Sequence, residues 1–502
     1  MQNRENGKKG SVSLVGAGPG DRGLLTLKGK DRIEAAEVVI YDRLVSPEVM
    51  SLVPQDAEKI NVGKKMSHHP VPQEEINRII LNKAQEGKRV VRLKGGDSFL
   101  FGRGAEELEL LIEHDIPYEV VPGITSAISV PTYAGIPVTH RNLTSSLHII
   151  TGHAKAGQKV DINYKALVDH KGTLVFLMGL TALCELMDGL IEAGMDPDMP
   201  AATIEKGTTS FQRKVVATVG TIYEKVREAD IESPAITIVG KVAGLSRDMD
   251  WFTTKPLIGK TILVTRPKEK AGQLSDKLRE HGAKVIEFPC IETLILPEND
   301  DFVDAMYDMK NYAYVVFTSP NGVENFFQKL YDNRLDIRTL YGVKIAAVGQ
   351  QTKKLLEKRG LIVDYMPDVY ESSHLAEGLV KDIQANEKVM LIRGKMATDI
   401  LPGVLRENDI DYREVQVYDT IYKNPMEDFL EKDMENIDYA VFSSASTVEG
   451  FTKALPMDHT SVHAICIGNV TAEKAKEYGM KVDVSEKATL DSLIEKVIEV
   501  AR

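Results

Sequence analysis

Cysteine and tryptophan are almost missing from this chain. Its three cysteines, Cys184, Cys290 and Cys466, stand far apart with no C-x-x-C spacing. That excludes a disulfide framework and a cysteine zinc site, and it predicts a reduced, cytoplasmic setting. Positive charge is short as well. A formal net charge of −12 argues against nucleic acid or an anionic membrane as a partner of the general surface. A polyanionic small molecule stays possible, because it needs only a local basic cluster. No uninterrupted apolar run approaches the roughly 18 residues of a membrane span, and the polar start MQNRENGKKG is not followed by the apolar stretch of a signal peptide. What is present, 43% hydrophobic and 27% charged residues over 502 positions, reads as a soluble globular protein of roughly two to four domains.

The stretch KRVVRLKGGDSFLFGRG at 88–104 organises the first half. A short β-branched strand empties into Gly95-Gly96-Asp97, an apolar trio follows, and Gly102-Arg103-Gly104 opens a Glu- and Leu-rich helix. Glycines at a strand's carboxyl end let a ligand touch the backbone, and open α/β sheets bind ligands at that edge. Asp97 either faces a hydroxyl or positive centre or simply caps the turn. SVSLVGAGPGD at 11–21 supplies a second strand and glycine turn. Its spacing is not that of a dinucleotide fingerprint: Gly16, Gly18 and Gly20 alternate, the next required glycine falls on Asp21, and Pro19 removes an N–H. An uncharged or cationic ligand such as a nucleoside sulfonium suits it better than a phosphate.

A helix is expected over about 24–36, then a strand at 38–41 that ends at Asp42, a candidate base at the ligand edge. VGKKMSHHPVPQEEI carries Lys64, Lys65, His68 and His69 ahead of a helix with Ile76, Ile79, Ile80 and Ala84 on one face. Adjacent histidines on a loop rarely converge, so this is read as a basic lip with no metal. Thr125 and Ser126 start a helix of small residues, and Met178 ends the strand TLVFLMG. Each also has a plain structural role available, as cap or core.

VGAGPGD, YDRLVS, VGK, RLKGGDSFLFGRG, VVPGITSA, AGIPVTHR, TGH, FLMGL and EKGT, in this order over about 11–245, resemble the uroporphyrinogen-III C-methyltransferases of the tetrapyrrole methylase superfamily. The resemblance implies a two-lobed α/β fold, a homodimer, and S-adenosylmethionine between the lobes. It places cofactor contacts on Pro19, Gly95, Gly96, Asp97, Leu100, Thr125, Ser126, Met178 and Gly207, with Asp42 as proton acceptor and Lys64 as proton donor. Ser98 stands where those enzymes usually have proline.

The stretch 241–259, with Trp251, loses the strand–helix rhythm. The expected domains are therefore 1–245, a linker at 246–259, and 260–502. Beyond the linker the chain echoes itself. KTILVTRP at 260 returns as KVMLIRGK at 388, YVVFTSPNGVENFF at 314 as YAVFSSASTVEGFT at 439, and KIAAVGQQTKKLLEKRG at 344 as HAICIGNVTAEKAKEYG at 463. These spacings predict two similar lobes, each a parallel sheet with helices, and a cleft between them. Thr318, Ser319 and Asn321, and in the echo Ser443 and Ser444, sit where strands become helices; such ends suit carboxylates, and Arg266 and Arg393 add charge. TRP, FTSPNGV, VGQQT, LIRG, VQVYDT, FSSAST and IGNVT, the last carrying Thr471, resemble uroporphyrinogen-III synthase over about 258–502. That resemblance implies closure of hydroxymethylbilane, with Tyr418 of VQVYDT assisting departure of a hydroxyl group.

The reading is a cytoplasmic bifunctional enzyme whose second half makes uroporphyrinogen III and whose first half methylates it twice to precorrin-2, for sirohaem or cobalamin. Two rivals stay open on sequence. One is a nicotinamide-dependent oxidoreductase using the 16–21 turn and Asp42. The other is a methyltransferase whose second half is a non-catalytic ligand-binding module.

Overall fold

The computed structural model describes residues 9–63, 71–152, 161–297, 300–369, 371–384, 387–425, 436–455 and 458–502. Lys64, Lys65, His68 and His69 lie outside them. Contacts divide the chain into two compact units, Met1–Lys260 with Leu278–Lys284 and Ala501–Arg502, and Thr261–Lys277 with Val285–Val500. Among the described residues no helix is long and apolar enough to cross a membrane, and no group of three or more His, Cys, Asp or Glu side chains converges as metal ligands do.

The first unit has two lobes. In the first lobe, β1 (Ser11–Gly16), β2 (Val38–Tyr41), β3 (Glu58–Asn61), β4 (Arg89–Lys94) and β5 (Tyr118–Val121) form a sheet in the order β3-β2-β4-β1-β5. Every pair is parallel. The chain builds β1, β2 and β3 before inserting β4 between the first two, so the carboxyl ends of β1 and β4 flank the point where strand order reverses. Alternation on β4 sorts its side chains. Val91 and Leu93 join Val15, Val39 and Ile33 on one face, and Val90 joins Ile76, Ile80, Leu108 and Leu111 on the other. The helix expected over 24–36 is shorter, a 3₁₀ turn at Arg22–Leu24 and a helix at Leu27–Glu34, because Thr26 caps the latter by accepting from the Gly29 amide.

The second lobe holds β6 (Leu147–Thr151), β7 (Thr173–Leu177), β8 (Pro200–Glu205), β9 (Arg213–Thr218) and β10 (Ala235–Val239), ordered β6-β7-β10-β8-β9. Only β6–β7 is parallel. The stretch 246–259 packs within this unit. The Trp251 indole N–H donates to the Thr132 carbonyl at 3.0 Å, the Tyr133 ring lies 4.9 Å from Trp251 and 4.7 Å from Phe252, and Lys214 pairs with Asp250 at 2.8 Å.

In the second unit, β11 (Thr261–Val264), β12 (Lys284–Glu287), β18 (Tyr439–Phe442), β19 (His463–Cys466) and β20 (Lys481–Val484) form one sheet, ordered β12-β11-β18-β19-β20. The other sheet contains β13 (Ile291–Ile295), β14 (Tyr312–Phe317), β15 (Lys344–Ala347), β16 (Lys388–Gly394) and β17 (Asp411–Tyr422), ordered β13-β17-β16-β14-β15. The sequence echo maps onto this order: β11 on β16, β18 on β14, β19 on β15. The expectation of two similar lobes holds, with one antiparallel edge strand, β13 on β17. The echoing segments do not each build one lobe, however. The first copy supplies β11 to one sheet and β14 and β15 to the other, and the second copy reverses this.

The chain passes between these sheets at Phe288–Cys290. There the helix Ala445–Ala454 lies so close that a Cβ on Gly450 would stand 2.7 Å from the Cys290 carbonyl oxygen and 2.7 Å from Ile291 Cγ2. Gly450→Ala is therefore expected to cost about 1–3 kcal/mol by overpacking, less the gain in helix propensity. Gly272→Ala, in the helix Lys268–Glu280 where a Cβ meets nothing within 4 Å, is expected to add roughly 0.5–1 kcal/mol. Thermal unfolding of the two variants should shift in opposite directions.

Candidate active sites

The first site forms where three strand ends meet backbone to backbone. A Cβ on Gly16 would lie 2.5 Å from the Gly123 nitrogen, and one on Gly123 would lie 2.2 Å from the Gly96 carbonyl oxygen. Only glycine permits this approach. Beyond it the two glycine turns pair: Gly18 donates to the Gly96 carbonyl at 3.1 Å and Gly96 donates back to Gly18 at 2.7 Å. Gly96 itself has φ +68°, and on its open side a Cβ would meet only the Ser126 nitrogen, at 3.9 Å. Unfilled space bounded by a helix N-terminus is what a ligand pressed against the backbone requires.

Asp97 ties this arrangement together. Its Oδ1 accepts from the Phe99 and Leu100 amides at 2.8 and 3.1 Å, and its Oδ2 accepts from the Gly123 amide at 3.0 Å. Of the two roles open to it, the structure supplies the capping one. Leu100 packs against the second lobe's core. Thr125 caps the helix Ser126–Tyr133 by accepting from Ala127. Gly207 is closed rather than open, since a Cβ there would strike Val130 at 2.3 Å; it brings the 206–209 turn onto that helix. Pro19 lies on the turn between Gly18 and Gly20, and a Cβ on Gly20 would meet Thr208 Oγ1 at 3.1 Å.

Backbone strain marks the same loops. Among the described residues ten non-glycine residues have positive φ. Asp115, Lys171, Asp230, Arg334 and Asp409 lie at helix C-termini, where that conformation is ordinary. The other five, Phe101, Arg103, Met178, Lys206 and Thr208, fall in three of the loops that carry the expected cofactor residues. Left-handed backbone at such residues costs about 1–3 kcal/mol each and clusters at ligand sites. Met178 is also half exposed, so it is not core filler.

Asp42 comes to this edge through its own turn. Its Oδ1 accepts from the Leu44 amide at 3.1 Å, and Leu44 Cβ covers Gly95 so closely that a Cβ there would sit 2.7 Å away. Behind Asp42 lies a buried charge cluster. Arg92 is 3.7 Å from Asp42 Oδ2, and Glu107 takes Arg92 Nε at 3.2 Å and Lys94 Nζ at 2.8 Å. Burial, then the neighbouring Arg92 charge, lowers the Lys94 pKa. Sequence reasoning passed over this cluster, although two charges at alternate positions of an apolar strand, RVVRLK, signal it. A second set it missed joins the lobes. Tyr133 donates to Asp21 Oδ2 at 2.7 Å, Asp21 N–H donates to Thr208 Oγ1 at 3.3 Å, and Thr208 N–H donates to Gln212 Oε1 at 2.8 Å. Burial and the Asp21 carboxylate both push the Tyr133 pKa up.

In the second unit the polar residues gather at the carboxyl ends of β14 and β16. Ser319 caps the helix Pro320–Asp332, accepting from Gly322 at 3.0 Å, and Tyr418 Oη lies 3.1 Å from Ser319 Oγ. Asn321 donates to Thr293 Oγ1 at 3.3 Å; Thr318 and Ser443 are half-buried at the two strand ends. Ser444 is occupied within its own turn, taking the Thr447 amide at 3.3 Å and bonding Ser446 at 2.9 Å. Arg266 is half-buried, its pKa lowered by that burial, and no ion pair holds it among the described residues. Two further residues expected to bind carboxylates are buried in the structure. Arg393 is buried and its charge is already met by Glu414 at 2.9 Å. Thr471, at 4% exposure, packs inside its lobe.

Two α/β units that gather polar groups at sheet edges define an enzyme acting on small molecules at each. The Tetrapyrrole (Corrin/Porphyrin) Methylases model matches residues 11–223, and the Uroporphyrinogen-III synthase HemD model matches residues 272–495. A "Porphyrin biosynthesis protein HemD" from Ruminiclostridium josui is 50% identical over 98% of each chain. A "Uroporphyrinogen-III C-methyltransferase" from Bacillus subtilis is 42% identical over 74% of this chain and 78% of its own. Among solved structures, the Thermus thermophilus uroporphyrin-III C-methyl transferase complexed with S-adenyl homocysteine aligns with 47% of this chain and 100% of its own, at 40% identity and TM-score 0.41. The chain belongs to the tetrapyrrole-biosynthesis family that joins a tetrapyrrole methylase to a uroporphyrinogen-III synthase, and it is a bifunctional enzyme of that pathway.

Asp97→Ala removes the acceptor of three amides. It is expected to cost about 2–4 kcal/mol and to weaken S-adenosylmethionine binding at least tenfold by calorimetry; unchanged affinity would displace Asp97 from the site. Ser98 is fully buried and its hydroxyl has no hydrogen-bond partner among the described residues. Ser98→Ala is thus expected to match wild-type stability or exceed it by up to ~1 kcal/mol, with binding intact.

Proposed function

We propose that the second unit closes hydroxymethylbilane to uroporphyrinogen III and that the first then transfers two methyl groups from S-adenosylmethionine to give precorrin-2, on the way to sirohaem or cobalamin. The protein acts as a cytoplasmic homodimer, with 1–245 and 260–502 as its catalytic domains and 246–259 connecting them while packed on the first. The observation that carries the methyl-transfer reading is the pair of glycine turns at 16–20 and 95–97. They leave open backbone beside Gly96 and abut the turn that bears Asp42.

The residues fit an S-adenosylmethionine: an unfilled backbone cradle, an exposed Met178, and the Thr125–Ser126 helix start. When bound, the cofactor supplies an electrophilic methyl group on a sulfonium. Pro19, Gly95, Gly96, Leu100, Thr125, Ser126, Met178 and Gly207 would hold it, and Asp97 would hold the loops that hold it. Positioning of this kind supplies about 7–11 kcal/mol of barrier lowering. Each methyl transfer replaces one substrate proton, and Asp42 accepts it. Arg92 lies 3.7 Å behind that carboxylate, and Lys64 serves as the proton donor. In the second unit Tyr418 gives its proton to the departing hydroxyl, while Arg266 and the helix start at Ser444 receive substrate carboxylates.

Product analysis with hydroxymethylbilane, run with and without S-adenosylmethionine, tests both activities together. The type III ring should form without the cofactor and gain two methyl groups with it. Only the non-enzymatic type I isomer, with supplied uroporphyrinogen III still methylated, would mean that the second unit is no synthase. Asp42→Asn should slow methylation by roughly 10²–10⁴-fold with cofactor affinity preserved; full activity would remove it as the base. Tyr418→Phe should slow ring closure at least tenfold and leave methylation of supplied uroporphyrinogen III unchanged.

A further inference from the structure

Tyr418 is held by a device that occurs in one lobe of the second unit and has no counterpart in its echo. Ser319 Oγ accepts the Gly322 amide at 3.0 Å, so its own proton remains to be placed. Among the described residues its one other partner is Tyr418 Oη, at 3.1 Å. The run Gly322 N–H to Ser319 O–H to Tyr418 oxygen starts at the positive end of a 13-residue helix, and successive hydrogen bonds in one direction reinforce each other. Donation by Ser319 leaves the phenol proton of Tyr418 free to point elsewhere.

Two further features aim the ring. The pairing of β16 with β17 slips between Arg393 and Gly394: Arg393 faces Gln416, whereas Gly394 faces Tyr418. The extra residue is a β-bulge, a device that re-aims a side chain. The ring then lies on Gly394, where any Cβ would come within 2.5 Å of it, and Lys395 N–H donates to the Tyr418 carbonyl at 2.9 Å. In the echo, Ser319 corresponds to Ser444, which is satisfied by Ser446 and Thr447 within its own turn. Gly394 corresponds to Arg266, a residue with a long side chain in place of none.

We infer that Ser319 is a positioning residue for Tyr418: it donates its hydroxyl proton to Tyr418 Oη, in the slot opened by Gly394, and so directs the phenol proton at the substrate's leaving hydroxyl. As the carbon–oxygen bond breaks, the electron pair leaves with oxygen and takes the Tyr418 proton, forming water. Ser319 stabilises the resulting phenolate, which is reprotonated when the attacked pyrrole loses its own proton on closure. This assignment rests on the reading of Tyr418 as proton donor, and it takes Ser319 out of the set that binds carboxylates directly.

The test uses the full chain with Ser319→Ala, Ser319→Asp, Ser319→Thr, Tyr418→Phe and the Ser319→Ala/Tyr418→Phe double variant, with methylation of supplied uroporphyrinogen III as the check on integrity. Asp caps the helix as well as Ser does, but as a carboxylate it accepts from Tyr418 and turns the phenol proton inward. Ser319→Ala and Ser319→Asp should each lower the kcat of ring closure roughly tenfold with KM unchanged, and Ser319→Thr should stay within about threefold of wild type. Adding Ser319→Ala to Tyr418→Phe should cost nothing more, the non-additivity of groups acting as a unit. A Ser319→Ala that raises KM at constant kcat, retains full activity, or adds its loss to that of Tyr418→Phe overturns the assignment. Full activity of Tyr418→Phe alone would instead overturn the reading of Tyr418.

Discussion

The first unit depends on one contact, the meeting of Gly16, Gly96 and Gly123 with no side chain between them. Three strand ends are drawn within backbone distance there, and their amides and carbonyls, rather than side chains, become the walls of the site. Asp97 converts proximity into rigidity, because its two oxygens hold the 97–100 turn and the Gly123 loop at once. The strained residues Met178, Lys206 and Thr208 then line up around a frame that cannot relax toward them. A larger residue at Gly16 or Gly123 would separate the turns before it touched a ligand, whereas one at Gly96 would project into the open space beside Ser126.

Electrostatics sets the second constraint. Arg92, Lys94, Glu107 and Asp42 carry two charges of each sign, and all but Asp42 are nearly inaccessible. Glu107 is shared by both cations, so Asp42 is the counter-charge that brings the group to neutrality. The cluster thus ties the turn that bears Asp42 to the buried charges of β4 and its covering helix.

Much of this was legible in the sequence. The strand 38–41, the helix that runs Gln73–Gln85 and the glycine turns follow from periodicity and from residues with few alternatives. Other parts were not. Asp97 as a structural clamp was only one of two roles for a turn aspartate, and the choice lies in Gly123, 26 residues away. Arg393 reads like Arg266, each a cation closing an echoed strand, yet Glu414 on the neighbouring strand neutralises one and not the other. The Tyr133–Asp21–Thr208–Gln212 chain joins residues up to 187 positions apart, beyond the reach of local pattern.

The exchange of strands between the echoed halves was the largest feature hidden from sequence, and it explains why the second unit is single. Because β11 pairs with β18 and β14 with β16, each sheet is completed only by the other copy of the echo. Neither copy can bury its hydrophobic face alone, so the two lobes must form together and the long-range pairings must come before either core closes. The same exchange removes any need for the two lobes to stay alike at their edges. One copy could acquire the Gly394 slot and the bulge under Tyr418 while the other kept Arg266 at the matching place, so a duplicated scaffold presents a slotted tyrosine on one lobe and, on the other, a cation with no ion pair among the described residues.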